Sequence, residues 1–386
     1  MPTFDVIVLG VGTMGSAACA HLARRGVRVL GLEQFGISHT IGSHHGDSRI
    51  IRLCYYEHPD YVPLLHRAYE LWRDLENHSA QRLMHLTGGI YMGRPNGEFI
   101  TGTLRAARQH KLDHDVLTHS DLRTRFPQFQ LPHDYVGVWE PNAGFLLPEK
   151  CVSAHAVLAL RGGAELHGHE PVVEWSADKR GVTVRTTRET YSAGHIVICG
   201  GAWSQSLLRD LGVPLKVTRQ TLGWVQPRRQ ELFAFGVLPV WAIDHDDGTQ
   251  HYGFPMLEGE AFGSARPGFK VAHHWQAEET SPDTINRVPQ PQDEADFRPV
   301  LQSMIPDADG PLLSMAVCMY TCTPDSNFII DSLLPERPVT IACGFSGHGF
   351  KFAGVIGEIL ADLATTGQTR HPISFLSSSR FQGRRA

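Results

Sequence analysis

Residues Phe4 to Glu33 hold the arrangement that most constrains this chain. Phe4-Asp5-Val6-Ile7-Val8-Leu9 is a short apolar run rich in β-branched residues, which predicts a buried strand of a parallel sheet. Gly10-Val11-Gly12-Thr13-Met14-Gly15 follows as a G-x-G-x-x-G, and Ser16 to Arg25 reads as the helix behind it. Gly26 stops that helix, Val27 to Leu32 form a second strand, and Glu33 stands at its tip. Glycines let the backbone approach a pyrophosphate, the helix N-terminus offers N–H donors, and a carboxylate at the second strand's end can hold a ribose. Strand, glycine turn, helix, strand and acid fall in the order that a dinucleotide site requires. The motif does not separate FAD from NAD.

Composition narrows the partners. Thirty-five Lys and Arg against forty Asp and Glu give a net charge of −5, and there is no basic block, which argues against nucleic acid. No apolar run approaches a membrane span, and the N-terminal apolar residues already belong to the first strand, with no basic n-region or cleavage site. Seven scattered cysteines without C-x-x-C spacing point to reduced thiols and a cytoplasmic protein. The C-terminal Gln382-Gly383-Arg384-Arg385-Ala386 is not a peroxisomal address. Twenty-two histidines include no H-E-x-x-H, and the adjacent pairs His44-His45 and His273-His274 would point to opposite faces of a strand, so no metal is expected.

Along the chain, Gly42 to Arg52 reads as a glycine- and histidine-bearing turn that becomes a helix, with His45, Arg49 and Arg52 at i, i+4 and i+7 on one face. Ile50, Ile51 and Leu53 around them imply burial, and buried cations need anionic or π partners. Helices are expected at 60–78, 98–110, 120–126 and 150–160, and strands at 83–93, 136–140, 144–147, 164–168, 171–176, 181–187 and 196–198. Gly200 opens a second glycine turn. From Val213 to about Thr323 the texture is that of an antiparallel sheet, with strands at 215–226, 237–243, 250–254, 269–275 and 312–320 and a helix near 293–304. Strands at 328–331 and 339–342 lead into Gly344-Phe345-Ser346-Gly347-His348-Gly349-Phe350-Lys351 and a final helix to about Ala364. The plan is α/β: a Rossmann-like dinucleotide domain of residues 1–82, 148–213 and 325–386, with a mostly antiparallel β-sheet substrate domain inserted as 83–147 and 214–324.

The N-terminal motif, Gly42-Ser43-His44-His45-Gly46-Asp47-Ser48-Arg49, Tyr252-Gly253-Phe254-Pro255, Val317-Cys318-Met319-Tyr320-Thr321 and the Gly344–Lys351 loop together resemble the monomeric sarcosine oxidase family of flavin amine oxidases. That family also holds N-methyltryptophan oxidase and pipecolate oxidase. The resemblance spans nearly the whole chain and implies FAD over NAD. It implies a covalent thioether from Cys318 to the flavin 8α-methyl, an oxygen-activating Lys270 and a cavity histidine at His274 on the same strand face. It implies cavity aromatics at Tyr252 and Tyr320, a substrate-carboxylate clamp of Arg52 and Lys351, and His45 and Arg49 packed against the flavin ring. Cofactor contacts are implied at Gly10, Gly12, Thr13, Met14, Gly15, Glu33, Ser43, His44, Val173, Gly200, Gly344, Gly347, His348, Gly349 and Lys351. Cys322, four residues beyond Cys318, is a rival anchor that matches no family cysteine. Leu53-Cys54-Tyr55-Tyr56 departs from the family's histidine-alanine-tyrosine run, so the cavity edge there is expected to differ.

The expected activity is that of a monomeric oxidase converting sarcosine, with O2 and water, to glycine, formaldehyde and H2O2. Its rivals are oxidation of N-methyltryptophan or pipecolate, a flavin-binding subunit that hands electrons to a partner, and an NAD-dependent dehydrogenase.

Overall fold

In a computed structural model, residues 1–208, 212–263, 265–274 and 277–381 are described. The sequence's C-terminal 382–386 and the end of its expected 269–275 strand lie outside them.

One eight-stranded sheet carries the dinucleotide motif. Its main path runs Val172–Asp178, Gly181–Thr186, Thr190–Ile198, Thr3–Leu9, Val29–Leu32, Glu165–His167. Val339–Cys343 joins it beside Thr190–Ile198 and pairs in turn with Ile329–Ser332. The central pairings of Thr3–Leu9 are parallel on both sides, and Ile7 and Val8 are completely buried, as their β-branched run requires. The helix Thr13–Arg24 buries Ala17, Ala18 and Cys19 completely and neighbours the helices Pro148–Arg161 and Ala353–Thr366.

A second eight-stranded sheet runs Leu312–Cys322, Lys216–Val225, Phe269–His274, Gln250–Phe254, Val240–Asp244, Gly89–Gly93, Val136–Glu140, Asp115–Leu117. It is antiparallel except where Val240–Asp244 meets Gly89–Gly93, so strands from before residue 147 and after residue 214 join in one sheet. A three-stranded sheet (Arg49–Ile51, Gly144–Leu146, Met84–Leu86) lies apart from these two.

Most expected elements are present within a few residues, and Glu98–His110 matches its expected helix end to end. The segment after Gly42 does not. Bends cover its first part, Gly46 and Asp47 take φ of +110° and +69°, and Arg49–Ile51 is a strand paired with Gly144–Leu146. Positive φ interrupts a right-handed helix, and the β-branched pair Ile50-Ile51 suits an extended backbone. His45, Arg49 and Arg52 therefore do not share a helix face. The strand expected at 83–93 is two strands, Met84–Leu86 and Gly89–Gly93, divided at Gly88. Among the described residues, no helix is long and apolar enough to cross a membrane.

Candidate active site

Between the two large sheets lies a cavity of about 260 Å³. Gly10, Gly12, Thr13 and Met14 form one end of its wall, with Glu33 beside them. The Glu33 carboxylate is fixed by two backbone donors, Val11 N–H at 3.0 Å and Phe35 N–H at 3.0 Å. A Cβ on Gly12 would meet nothing within 4 Å, so a side chain there would stand in the cavity. Gly15 lines nothing: its Cβ would lie 1.8 Å from the Gly10 carbonyl oxygen, so its role is the close packing of helix on strand. No side chain caps the Thr13–Arg24 helix, which leaves its first N–H groups free for an anion.

The rest of the wall comes from Ser43, His44 and Arg49, from Gly200 in the second glycine turn, from Cys318 and Tyr320, and from Gly344, Gly347 and Gly349. Two buried polar atoms in this wall, His44 Nε2 and Thr321 Oγ1, have no hydrogen-bond partner among the described residues. Burial, then the neighbouring His39 and Arg49, pushes the His44 imidazole down to about 3, so it is neutral. Glycine cradle, free helix end, buried acid and unpaired polar atoms all suit a long, polar-tailed ligand such as FAD.

Val173 is not in the wall. It is 52% exposed, and Val172 lines the cavity instead. Side chains alternate along a strand, and a register shift between Val172 and Glu174 sets which of the two faces inward.

Cys318 sits within the strand Leu312–Cys322 with its thiol 3.4 Å from the Ser43 carbonyl and 3.7 Å from Arg49 Nη2. Cys322 is buried but lines no part of the cavity. Lys270 is 2% exposed and lines neither this cavity nor the one beside it. It is held behind the Gly46–Arg49 turn, where Nζ donates to Gly46 O at 2.5 Å, Ser48 O at 2.9 Å and Ser48 Oγ at 3.1 Å, with the Phe254 ring 4.5 Å away. Burial, then Arg49, pushes its pKa well down. His45 also stands outside both walls; its carbonyl accepts from Arg49 Nη2, and burial, then Arg49, pushes its imidazole to about 3.

A smaller cavity of about 90 Å³ adjoins the first, and Arg49, Tyr252, Tyr320, Gly347 and Phe350 line both. Arg52, His274, His348 and Lys351 belong to the small one, so His348 and Lys351 face it rather than the large cavity. His274 Nδ1 lies 3.1 Å from the Tyr320 hydroxyl, and burial brings the imidazole down to about 4. His273, its neighbour, faces the other way and stacks on His251 at 4.1 Å. Lys351 stands in the 3-10 turn Phe350–Phe352 ahead of the last helix, and Nζ donates to His348 O at 2.8 Å. Burial, then Arg52, lowers it to about 7.

Tyr56, from the Leu53–Tyr56 stretch expected to alter the cavity edge, does line this wall, and residues not singled out from sequence join it, Glu57, Tyr91, Phe99 and Gln250 among them. Glu57 is the most consequential, because Arg52 Nη2 donates to both of its carboxylate oxygens at 2.9 Å. Burial opposes the charge on each, but Glu57 holds Arg52 protonated, and Arg52, His348 and Lys351 hold Glu57 ionised. A buried arginine demands such an acid, and one lies five residues downstream.

A family profile described as FAD dependent oxidoreductase matches residues 5–363. The monomeric sarcosine oxidase of Streptomyces avermitilis is 46% identical over 98% of both chains. The N-methyl-L-tryptophan oxidase of Salmonella heidelberg is 33% identical over 94% of each. Among solved structures, NikD, an unusual amino acid oxidase essential for nikkomycin biosynthesis, superposes with a TM-score of 0.83 at 26% identity over 98% of both chains. The chain belongs to the FAD dependent oxidoreductase family, within the group that holds the monomeric sarcosine oxidases and the N-methyl-L-tryptophan oxidases.

Proposed function

We propose that this protein oxidises sarcosine with O2 and water to glycine, formaldehyde and H2O2, with FAD joined to Cys318 by a thioether. The observation that carries this reading is the small cavity: it shares a wall with the cofactor cavity and holds two buried basic side chains, Arg52 and Lys351. When bound, FAD supplies the electron acceptor and returns the electrons to O2.

A small zwitterion offers little apolar area, so its carboxylate must provide most of the binding. Arg52 offers a planar fork of donors and Lys351 a point charge. Tyr252 and Tyr320, whose hydroxyls burial keeps protonated, and the neutral His274 line the same cavity and present no competing charge to the amine end. Their burial also keeps water from the reacting carbon. Arg49, on both walls, fixes the shared edge through Nη1 to Ser48 O at 2.8 Å and Nη2 to Ser43 O at 3.1 Å. Lys270, when protonated and donating to Gly46 O, Ser48 O and Ser48 Oγ, adds positive potential from behind that turn that favours negative charge on oxygen. In this reading residues 1–82, 148–213 and 325–386 carry the cofactor, while 83–147 and 214–324 cover the substrate.

The test is a panel of N-methyl amino acids, N-methyl-L-tryptophan and pipecolate, read by peroxide release and product analysis on the isolated chain. Sarcosine should give the highest kcat/KM, with glycine and formaldehyde in equal amounts. A higher kcat/KM for any other substrate, or substrate-dependent flavin bleaching without peroxide, refutes the proposal.

A further inference from the structure

The small cavity contains a feature that an N-methyl amino acid oxidase does not need for its chemistry. Tyr56 lines it and is fixed by three contacts. Its ring makes an edge contact with Phe99 at 4.9 Å, its face lies 5.1 Å from the Arg52 guanidinium carbon, and its hydroxyl donates to Gln250 Oε1 at 3.2 Å. Gln250 is itself anchored, with Nε2 donating to Asp244 Oδ1 at 2.9 Å. Tyr56 belongs to the connection between the strand Arg49–Ile51 and the helix Tyr61–Ser79, whereas Gln250 opens a strand of the second large sheet. The hydroxyl therefore ties a loop to a sheet within the cavity wall.

The surrounding aromatic box is already occupied. The Arg52 guanidinium carbon lies 5.2, 5.1, 5.4 and 5.8 Å from the ring centres of Tyr55, Tyr56, Tyr91 and Phe99. Glu57 holds the guanidinium there. An apolar substituent on a substrate cannot use those ring faces without displacing a buried, doubly hydrogen-bonded cation, which is costly. A substrate held by its carboxylate at Arg52 and Lys351, with its N-methyl group toward the wall shared with the cofactor cavity, has its Cα between the two. A group on Cα then meets the rest of the small cavity's wall, to which Tyr56, Tyr91, Phe99 and Gln250 belong.

We propose that Tyr56 is a specificity-determining residue: its ring, locked by the hydrogen bond to Gln250, restricts the substrate to amino acids with little or nothing on Cα. This rests on the proposed oxidase function and names the substrate class of that site. Tyr56 does no chemistry. It excludes by bulk, and discrimination of this kind is worth 10–200-fold for each methylene refused.

The experiment compares kcat/KM for sarcosine, N-methyl-L-alanine and N-methyl-L-leucine in wild type, Tyr56→Ala and Tyr56→Phe. Tyr56→Ala should raise the ratio of N-methyl-L-leucine to sarcosine by at least about tenfold, through KM, with sarcosine kcat within about threefold of wild type. Tyr56→Phe keeps the ring but frees it from Gln250, and should give a smaller gain in the same direction. In parallel, Kd values for acetate and isovalerate, read from the absorption of the bound flavin, should converge in Tyr56→Ala and partly in Tyr56→Phe. Equal changes for all substrates, or a loss confined to the bulky ones, would overturn the proposal, the second because it would make Tyr56 an attractive contact. If Tyr56→Ala fails to retain flavin, Tyr56→Phe and Gln250→Ala decide by the same two ratios. If wild type releases no peroxide with any of these amines, the oxidase reading falls, and the acetate-to-isovalerate ratio still judges Tyr56 separately.

Discussion

Lys351 should make carboxylate binding depend on pH in a way that no other group in the cavity does. Burial, then Arg52, brings its pKa to about 7 in the free protein, against the attraction of Glu57. The groups around it do not titrate between pH 6 and 9. His274 and His348 sit at about 4 and are neutral, Glu57 is held below its usual range, Arg52 is held above its own, and burial raises Tyr55, Tyr56, Tyr91 and Tyr320. The lysine is mostly charged at pH 6 and mostly neutral above pH 8. A bound carboxylate favours the charged form and raises the pKa in the complex, so binding above pH 7 must recruit a proton. Affinity is therefore greatest at low pH and falls about tenfold per unit above 7, about 1.4 kcal/mol each, until the pKa of the complex is reached. Acetate is a suitable probe because it has no amine and stays ionised throughout. Its Kd, followed by perturbation of the flavin absorption, should rise by about 50-fold between pH 7 and 9 where the pKa of the complex lies above 9. Lys351→Met should bind weakly and without slope, near the high-pH limit of wild type. A wild-type Kd that is flat over this range, or a slope that survives in Lys351→Met, would refute the assignment.

Cys318→Ser should release flavin into the supernatant on acid precipitation, where wild type stays yellow in the pellet; acid-stable colour in the variant would move the anchor elsewhere. Lys270→Met should slow reoxidation of the reduced enzyme by O2 by at least ~10²-fold while anaerobic reduction by sarcosine suffers far less, and stopped-flow half-reactions showing equal losses would reduce Lys270 to a structural cation. Arg52→Ala should weaken acetate binding by ~2–5 kcal/mol and leave Glu57 a buried, unpaired carboxylate at a stability cost of about 3–5 kcal/mol. The double variant Arg52→Ala/Glu57→Ala should recover melting temperature but not acetate affinity, and recovery of both would place the carboxylate elsewhere.

The dinucleotide end of the site was legible because its determinants are local. Gly10, Gly12 and Glu33 are set by a strand, a turn and a helix within one short stretch, and each lines the cavity as its position implied. The segment after Gly42 misled because its basic residues repeat at a helical period, while what decides the backbone is positive φ at Gly46 and Asp47 and a strand partner nearly one hundred residues away at Gly144–Leu146. Val173 erred by one residue, since alternation gives two faces but a local register shift decides which is inward. Lys270 and His274 share a strand face, as expected, yet period alone carries no information on depth: one is 2% exposed behind a turn, the other opens onto the small cavity. Gln250 and Tyr56 were out of reach because their meeting depends on how a loop lies across a sheet.

The strand Thr3–Leu9 is made well before its neighbour Ser192–Ile198, which comes 189 residues later. Val339–Cys343, which completes that side of the sheet, comes later still, and in the other sheet Gly89–Gly93 waits for Val240–Asp244. At ribosomal speeds of 5–20 residues per second, the opening strand spends about 10–40 s with one edge unpaired. Phe4, Val6, Ile7, Val8 and Leu9 of that strand are apolar, and an apolar strand with an unpaired edge recruits other unfinished chains. The yield of active enzyme from a foreign host should thus follow how long nascent chains are shielded, through chaperone supply and translation rate, more closely than it follows the melting temperature of the finished protein.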